Sequence, residues 1–274
     1  MKNYENVVTS HESCTTMNKL GKFLSTAAVI GLALGARSAA AHFQEIIPSA
    51  DIVAVEGERT VALDIVFTHP MERGPTMDMG QPAQFGVLTK GKKTDLRGAL
   101  TKKDVNGKAA FGSTYRFTEP GDYVFYIEPA PFWEPAEKKY ILHYAKAVVD
   151  FGSGEDWDAL VGFPIEIQPL TRPYGVWTGN LFRGVVKKNG KPLAFADVEI
   201  EWVNDGSVKA PADPFITQVV KTDAQGVFAY AMPRAGWWAF NALTDADKPI
   251  KGPDGKPARV EIGGTIWVKA VDMK

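Results

Sequence analysis

The chain has 274 residues, of which 45% are hydrophobic and 23% charged, with a formal net charge of −1. That length accommodates one or two domains and is ample for a buried core. A nearly neutral balance supplies no electrostatic footprint for nucleic acid or anionic membranes, and excludes both as expected partners.

The first 41 residues read as an export signal. Lys19 and Lys22 form a basic region, residues 23–34 an apolar run, and Ser38, Ala39, Ala40 and Ala41 offer small residues to a signal peptidase. The apolar run is shorter than the roughly 20 residues that span a bilayer, and no later stretch is longer. The expected product is a periplasmic protein that does not span the membrane after processing. Residues 1–16 are polar and precede Met17, which is an alternative start. Cleavage after Ala41 makes His42 the first residue and leaves 27 basic and 30 acidic groups. The one cysteine, Cys14, lies upstream of the apolar run. The processed chain therefore has no thiol or disulfide, and its core must hold it together.

Residues 42–274 read as short strands separated by Gly, Pro, Asn and Asp, with helix confined to turns. Val61, Leu63, Ile65 and Phe67 alternate along a strand that ends at His69. Strands follow at residues 84–88 and 94–100, around a Lys90-Gly91 turn, and at 115–118 after Asn106-Gly107. Pro120-Gly121 leads into Tyr123–Ile127, a pattern that resembles the tyrosine-bearing strand of immunoglobulin-like sandwiches. Residues 139–149 close this set. Residues 171–177 read as a linker, after which 181–187, the Asn189-Gly190 hairpin, 192–202, 227–231, 236–241 and 264–269 repeat the pattern. The fold class is all-β, with two immunoglobulin-like or transthyretin-like β-sandwiches over 42–170 and 178–274. In the second half, Gly184-Val-Val, Asn189-Gly-Lys-Pro192, Ala196-Asp-Val198, Thr222–Phe228 and Ala235-Gly-Trp237 resemble carboxypeptidase-regulatory, transthyretin-like modules. Those are strand and turn positions, and they imply structure rather than chemistry.

The chemistry concentrates on three histidines, His42, His69 and His143. A terminal histidine chelates a metal through its amine and its imidazole Nδ1. The amine's reference pKa of about 7.7–8.0 lets a metal displace its proton near neutrality. His69 continues an apolar stripe, where a buried imidazole needs a partner. It opens the loop His69–Met79, which holds Met71, Glu72, Met77 and Met79 as further ligand candidates. His143 follows a Pro- and aromatic-rich stretch in which Glu128 or Glu134 can serve as a carboxylate ligand or as acceptor for an imidazole N–H. Each residue alone is as readily explained by packing. Together they form an expected site of His42, His69 and His143, with Glu72, Met71, Met77 and Met79 as optional ligands.

His42-Phe43, Ile47-Pro-Ser49, Phe67–Glu72, Pro82–Val87, Tyr126–Pro135 and Ile141–Tyr144 resemble a family of bacterial periplasmic proteins of formally unknown function. That family is described as the periplasmic component of cobalt or nickel uptake systems. The resemblance implies a non-enzymatic metal-binding protein that handles Ni²⁺ or Co²⁺ for a membrane uptake transporter. Affinity order favours Cu²⁺, and thioethers favour Cu(I), so copper handling is the alternative cargo. Two other classes stand beside this one. A copper oxidase of glycans would use the same histidines, but the sequence offers no separate acid–base pair. A structural or glycan-binding sandwich would present Trp133, Trp157, Trp237 and Trp238 as stacking residues, although Trp is buried on average.

Overall fold

A computed structural model describes residues 42–152 and 154–274. The export signal, its cleavage position and the Met17 start lie outside the described residues. Among the described residues, helix is limited to the 3₁₀ turns Arg97–Ala99 and Asp213–Phe215. No helix there is long and apolar enough to cross a membrane.

The architecture is all-β, in three layers. The central sheet runs in the order Gln218–Lys221, Asp197–Trp202, Gly236–Asp245, Val260–Val271, Lys139–Phe151, Gly121–Glu128, Gln84–Thr89, Lys92–Asp95. Against one face packs a sheet of Ile47–Pro48, Thr60–Ile65, Lys108–Arg116 and Thr101–Val105. Against the other packs a sheet built on Ile165–Pro169, Leu181–Lys188 and Val227–Ala231. Side chains alternate across a pleated strand, so a strand with cover on both faces is apolar throughout. Lys139–Phe151 sends apolar side chains to both faces, and its buried Lys146 is paired with Glu166 at 2.7 Å. Ile141, Ala145, Ala147, Val149 and Phe151 enter the core shared with the first sheet, whereas Tyr144 and Val148 enter the opposite one. His143 has the parity of the first group.

The two sandwiches expected on either side of 171–177 share their central sheet. Val260–Val271 pairs in parallel with Lys139–Phe151, and Val176–Trp177 pairs with Val260–Val271. Tyr174 and Val176 are buried. Trp267, wholly buried, inserts into the core otherwise built largely from residues 43–151, where its Nε1–H donates to the Gln44 carbonyl at 2.9 Å. The turn chemistry follows the sequence. Asn106-Gly107 and Asn189-Gly190 both have positive φ at their two residues, which matches the right-handed twist of a hairpin. The Tyr123 hydroxyl donates to the Glu119 carbonyl at 2.6 Å, the corner expected from Pro120-Gly121.

Candidate functional site

Phe43–Gln44 pairs antiparallel with Phe67–Thr68, with Phe43 opposite Thr68 and Gln44 opposite Phe67. One more step of that register sets His42 opposite His69. Directly opposed residues share a face of the ladder. Their ring centroids are accordingly 4.7 Å apart, tilted by 53°. His69 is buried. The His42 side chain keeps 10% of its exposure, against Phe67 and Phe132 at centroid distances of 5.6 and 6.2 Å. Glu134, on the short strand Phe132–Glu134 that pairs beside Lys139–Phe151, brings Oε2 to 3.4 Å from His42 Nε2. Burial, with His69 and His143 close by, lowers the His42 imidazole from 6.5 to about 3, so it is neutral over the physiological range.

His143 Nδ1 lies 2.7 Å from the His42 carbonyl oxygen and 3.3 Å from Asn241 Nδ2. A carbonyl only accepts, so in the shorter contact Nδ1–H donates to His42. Asn241 is fixed by the Thr265 hydroxyl, which donates to its Oδ1 at 3.0 Å. His143 Nε2 is buried without a hydrogen-bond partner, and Glu261 Oε1 lies 3.6 Å away. Opposite His143 in the parallel register is Gly263. A Cβ there would stand 2.5 Å from His143 Cδ2 and 2.5 Å from Asn241 Oδ1, so the ring occupies the space that a side chain would take. Burial raises the Glu261 carboxyl, but His143 and Lys139 beside it bring it down to about 2. The Lys139 ammonium lies 2.6 Å from Glu261 and 2.7 Å from Glu137.

The three sequence-predicted histidines are thus brought together, but not around one point. His42 and His69 face each other, while His143 holds the His42 carbonyl and turns its other ring nitrogen to Glu261. The methionine loop folds back onto the sheet. Met77 N–H donates to the Phe67 carbonyl at 2.9 Å and Met79 N–H to the Ala109 carbonyl at 2.9 Å, so the loop returns along the sheet and both side chains are core. Met79 stays near the cluster: Gln44 Nε2 is 3.8 Å from its Sδ, and it lines a small cavity with His143. Met71 packs into the core on the opposite face of the central sheet, beside Trp202 and Trp238, with its N–H donated to Glu201 at 3.0 Å. Glu72 is exposed. Among the described residues, no three His, Asp or Glu side chains are grouped as a ready-made metal cage. Sequence reasoning missed Glu261, Gly263, Asn241 and Lys139. For Glu261 and Gly263 the one signal is a charged residue and two glycines interrupting the apolar run Val260-Glu-Ile-Gly-Gly264.

A family described as "Domain of unknown function (DUF4198)" matches residues 39–246, and the chain belongs to it. No curated protein matches. Among solved structures the chain is similar to a bacterial ice-binding adhesin, at 9% identity over 85% of this chain and 65% of that one, with a TM-score of 0.24. It is similar to the D00-D0 domain of intimin at 12% identity, covering 84% of this chain and 100% of that one, with a TM-score of 0.22. An I-band fragment of titin matches at 10% identity over 82% of this chain and 65% of that one, with a TM-score of 0.20. Likenesses at this level carry no functional reading.

Proposed function

We propose that this member of the DUF4198 family is an exported, non-enzymatic carrier of a divalent transition metal, Ni²⁺ or Co²⁺, that serves a membrane uptake transporter. The observation that carries the reading is the opposition of His42 and His69 across one antiparallel ladder, at 4.7 Å between rings. Two imidazoles held on one face, one of them neutral down to about pH 3, need little reorganisation to share an ion. The remaining donor in this reading is the α-amine of His42, released by cleavage after Ala41. Glu134 stands beside His42 Nε2 as a carboxylate neighbour. His143 acts through its bond to the His42 carbonyl as a positioning residue.

The cargo is bound as a substrate and given up again. A site of three nitrogen donors with open positions suits release better than a closed tetrahedral cage does. The resemblance to cobalt and nickel uptake components supports those two metals. One observation favours copper as the second reading: the Met79 thioether lies beside Gln44, two residues from His42, and soft sulfur selects Cu(I). Calorimetry with Ni²⁺, Co²⁺ and Cu²⁺ on protein beginning at His42 tests both. His69→Ala should weaken binding of the preferred ion at least tenfold. Unchanged affinity in that variant would remove the reading.

A further inference from the structure

Trp202 and Trp238 are directly opposed in the central sheet, so both indoles stand on one face, together with Ile200. After Trp202 the chain leaves the sheet, and residues 203–217 loop over that face before Gln218–Lys221 begins. Between the indoles and the loop lies a cavity of about 190 Å³, walled also by Met71 and Phe215, with the exposed Arg234 at its rim. An apolar cavity of about 150 Å³ already accepts a benzene ring.

The walls are set in advance. Trp202 Nε1–H donates to the Ala235 carbonyl at 3.0 Å, and Trp238 Nε1–H to the Arg234 carbonyl at 2.9 Å. Met71 is held by its N–H, which donates to Glu201 at 3.0 Å, and by Asn204 Nδ2, which donates to its carbonyl at 2.9 Å. With both indole N–H groups spent on backbone, the polar side chains left in the lining are Gln218 and Arg234. A sugar carries a hydroxyl on nearly every carbon, and this lining would leave most of them unpaired. A flat apolar ring suits it.

Arg234 selects the rest of the ligand. Its guanidinium stacks on Trp202 at 4.8 Å and donates to Ser207 Oγ at 2.9 Å. Asp205 accepts the Ser207 N–H at 2.9 Å and the Ser207 hydroxyl, so its link to Arg234 runs through that serine. Among the described residues no carboxylate pairs with Arg234 directly. Its planar fork of N–H donors is the shape that a carboxylate accepts.

We propose that this cavity binds a small aromatic carboxylate, with its ring between Trp202, Trp238 and Phe215 and its carboxylate on Arg234. The site is separate from His42 and His69 and needs no metal, so its test leaves the carrier reading untouched.

That test is calorimetry on the metal-free exported protein with phenylacetate and with phenylacetamide, which keeps the ring and removes the charge. One site is expected, with the acid bound about tenfold more tightly than the amide. Arg234→Gln should bring the acid down to the amide's affinity and leave the amide within about twofold, which also shows that the variant is folded. Ala210→Trp fills the cavity from the loop and should abolish binding of both, with circular dichroism unchanged from the parent. Equal affinity for acid and amide, no binding of either at millimolar concentration, or binding that neither variant alters would overturn the inference. Tighter binding of methyl glucoside than of phenylacetate would overturn it in favour of a glycan site.

Discussion

Gly263 and Gly264 are neighbours on one strand that face opposite cores, and replacing each by alanine separates the histidine cluster from the fold around it. In Gly263→Ala the new methyl would stand 2.5 Å from His143 Cδ2 and 2.5 Å from Asn241 Oδ1, so the ring must leave its place. Overpacking of this kind costs about 1–3 kcal/mol. The reduced freedom of the unfolded chain returns about 0.4–1 kcal/mol. A net loss of roughly 1–2 kcal/mol is expected. With the ring displaced, the 2.7 Å bond from Nδ1 to the His42 carbonyl goes, and metal affinity should fall about tenfold although no donor has been removed. In Gly264→Ala the methyl would meet the Ile165 carbonyl oxygen at 2.9 Å and the Glu166 nitrogen at 3.0 Å. Backbone cannot swing aside as a side chain can, so the stability loss should be at least as large, yet metal affinity should not change. Urea unfolding and calorimetry on both variants give the four numbers. Equal effects of the two substitutions on affinity would refute the positioning role of His143.

Three further outcomes follow from the same geometry. His42 has its folded value lowered from 6.5 to about 3, so the unfolded chain binds the proton first as pH falls. Its contribution is whole above 6.5 and is lost between 6.5 and 3, by at most roughly 5 kcal/mol; His42→Phe should flatten the acid limb of metal-free stability, and an unaltered limb would contradict this. Glu45 is raised to about 8 by burial and by Asp64 and Glu201, so the folded state holds the extra proton. That stability is full below about 4.5 and disappears as pH rises through 8, so Glu45→Gln should unfold later than the parent at pH 9, by a few kcal/mol at most. Trp267→Ala empties the first core from a strand of the chain's second half, and should cost about 3–5 kcal/mol in a single transition. Two separated transitions by fluorescence and circular dichroism would show that the halves fold apart.

The strands and hairpins were legible because they rest on local chemistry. Alternation placed Val61, Leu63 and Ile65 inside, and Asn-Gly pairs marked turns whose φ values are both positive. The joining of the two halves was not legible. Parallel pairing of Lys139–Phe151 with Val260–Val271 links residues more than a hundred positions apart, and nothing local announces it. The same distance hid the partners of the candidate site. His42 and His69 belong to one small ladder, and their convergence was readable from the terminal histidine and the strand end. Asn241, Glu261 and Gly263 come from the far half and meet His143 only through the shared sheet. Met77 and Met79 were misleading for a related reason: a loop rich in Pro and Gly looks exposed, but its backbone bonds to the Phe67 and Ala109 carbonyls draw both side chains into the core.

The claim at the centre is that an exported chain starting at His42 carries one divalent transition metal on His42 and His69. Native mass spectrometry of protein recovered from the exported fraction measures the first residue and the bound ion in one spectrum. The expected spectrum shows a chain beginning at His42 with one Ni²⁺ or Co²⁺ retained, and His69→Ala shows the same chain without it. A chain that begins elsewhere, or one that begins at His42 and retains no metal after exposure to either ion, would contradict the account.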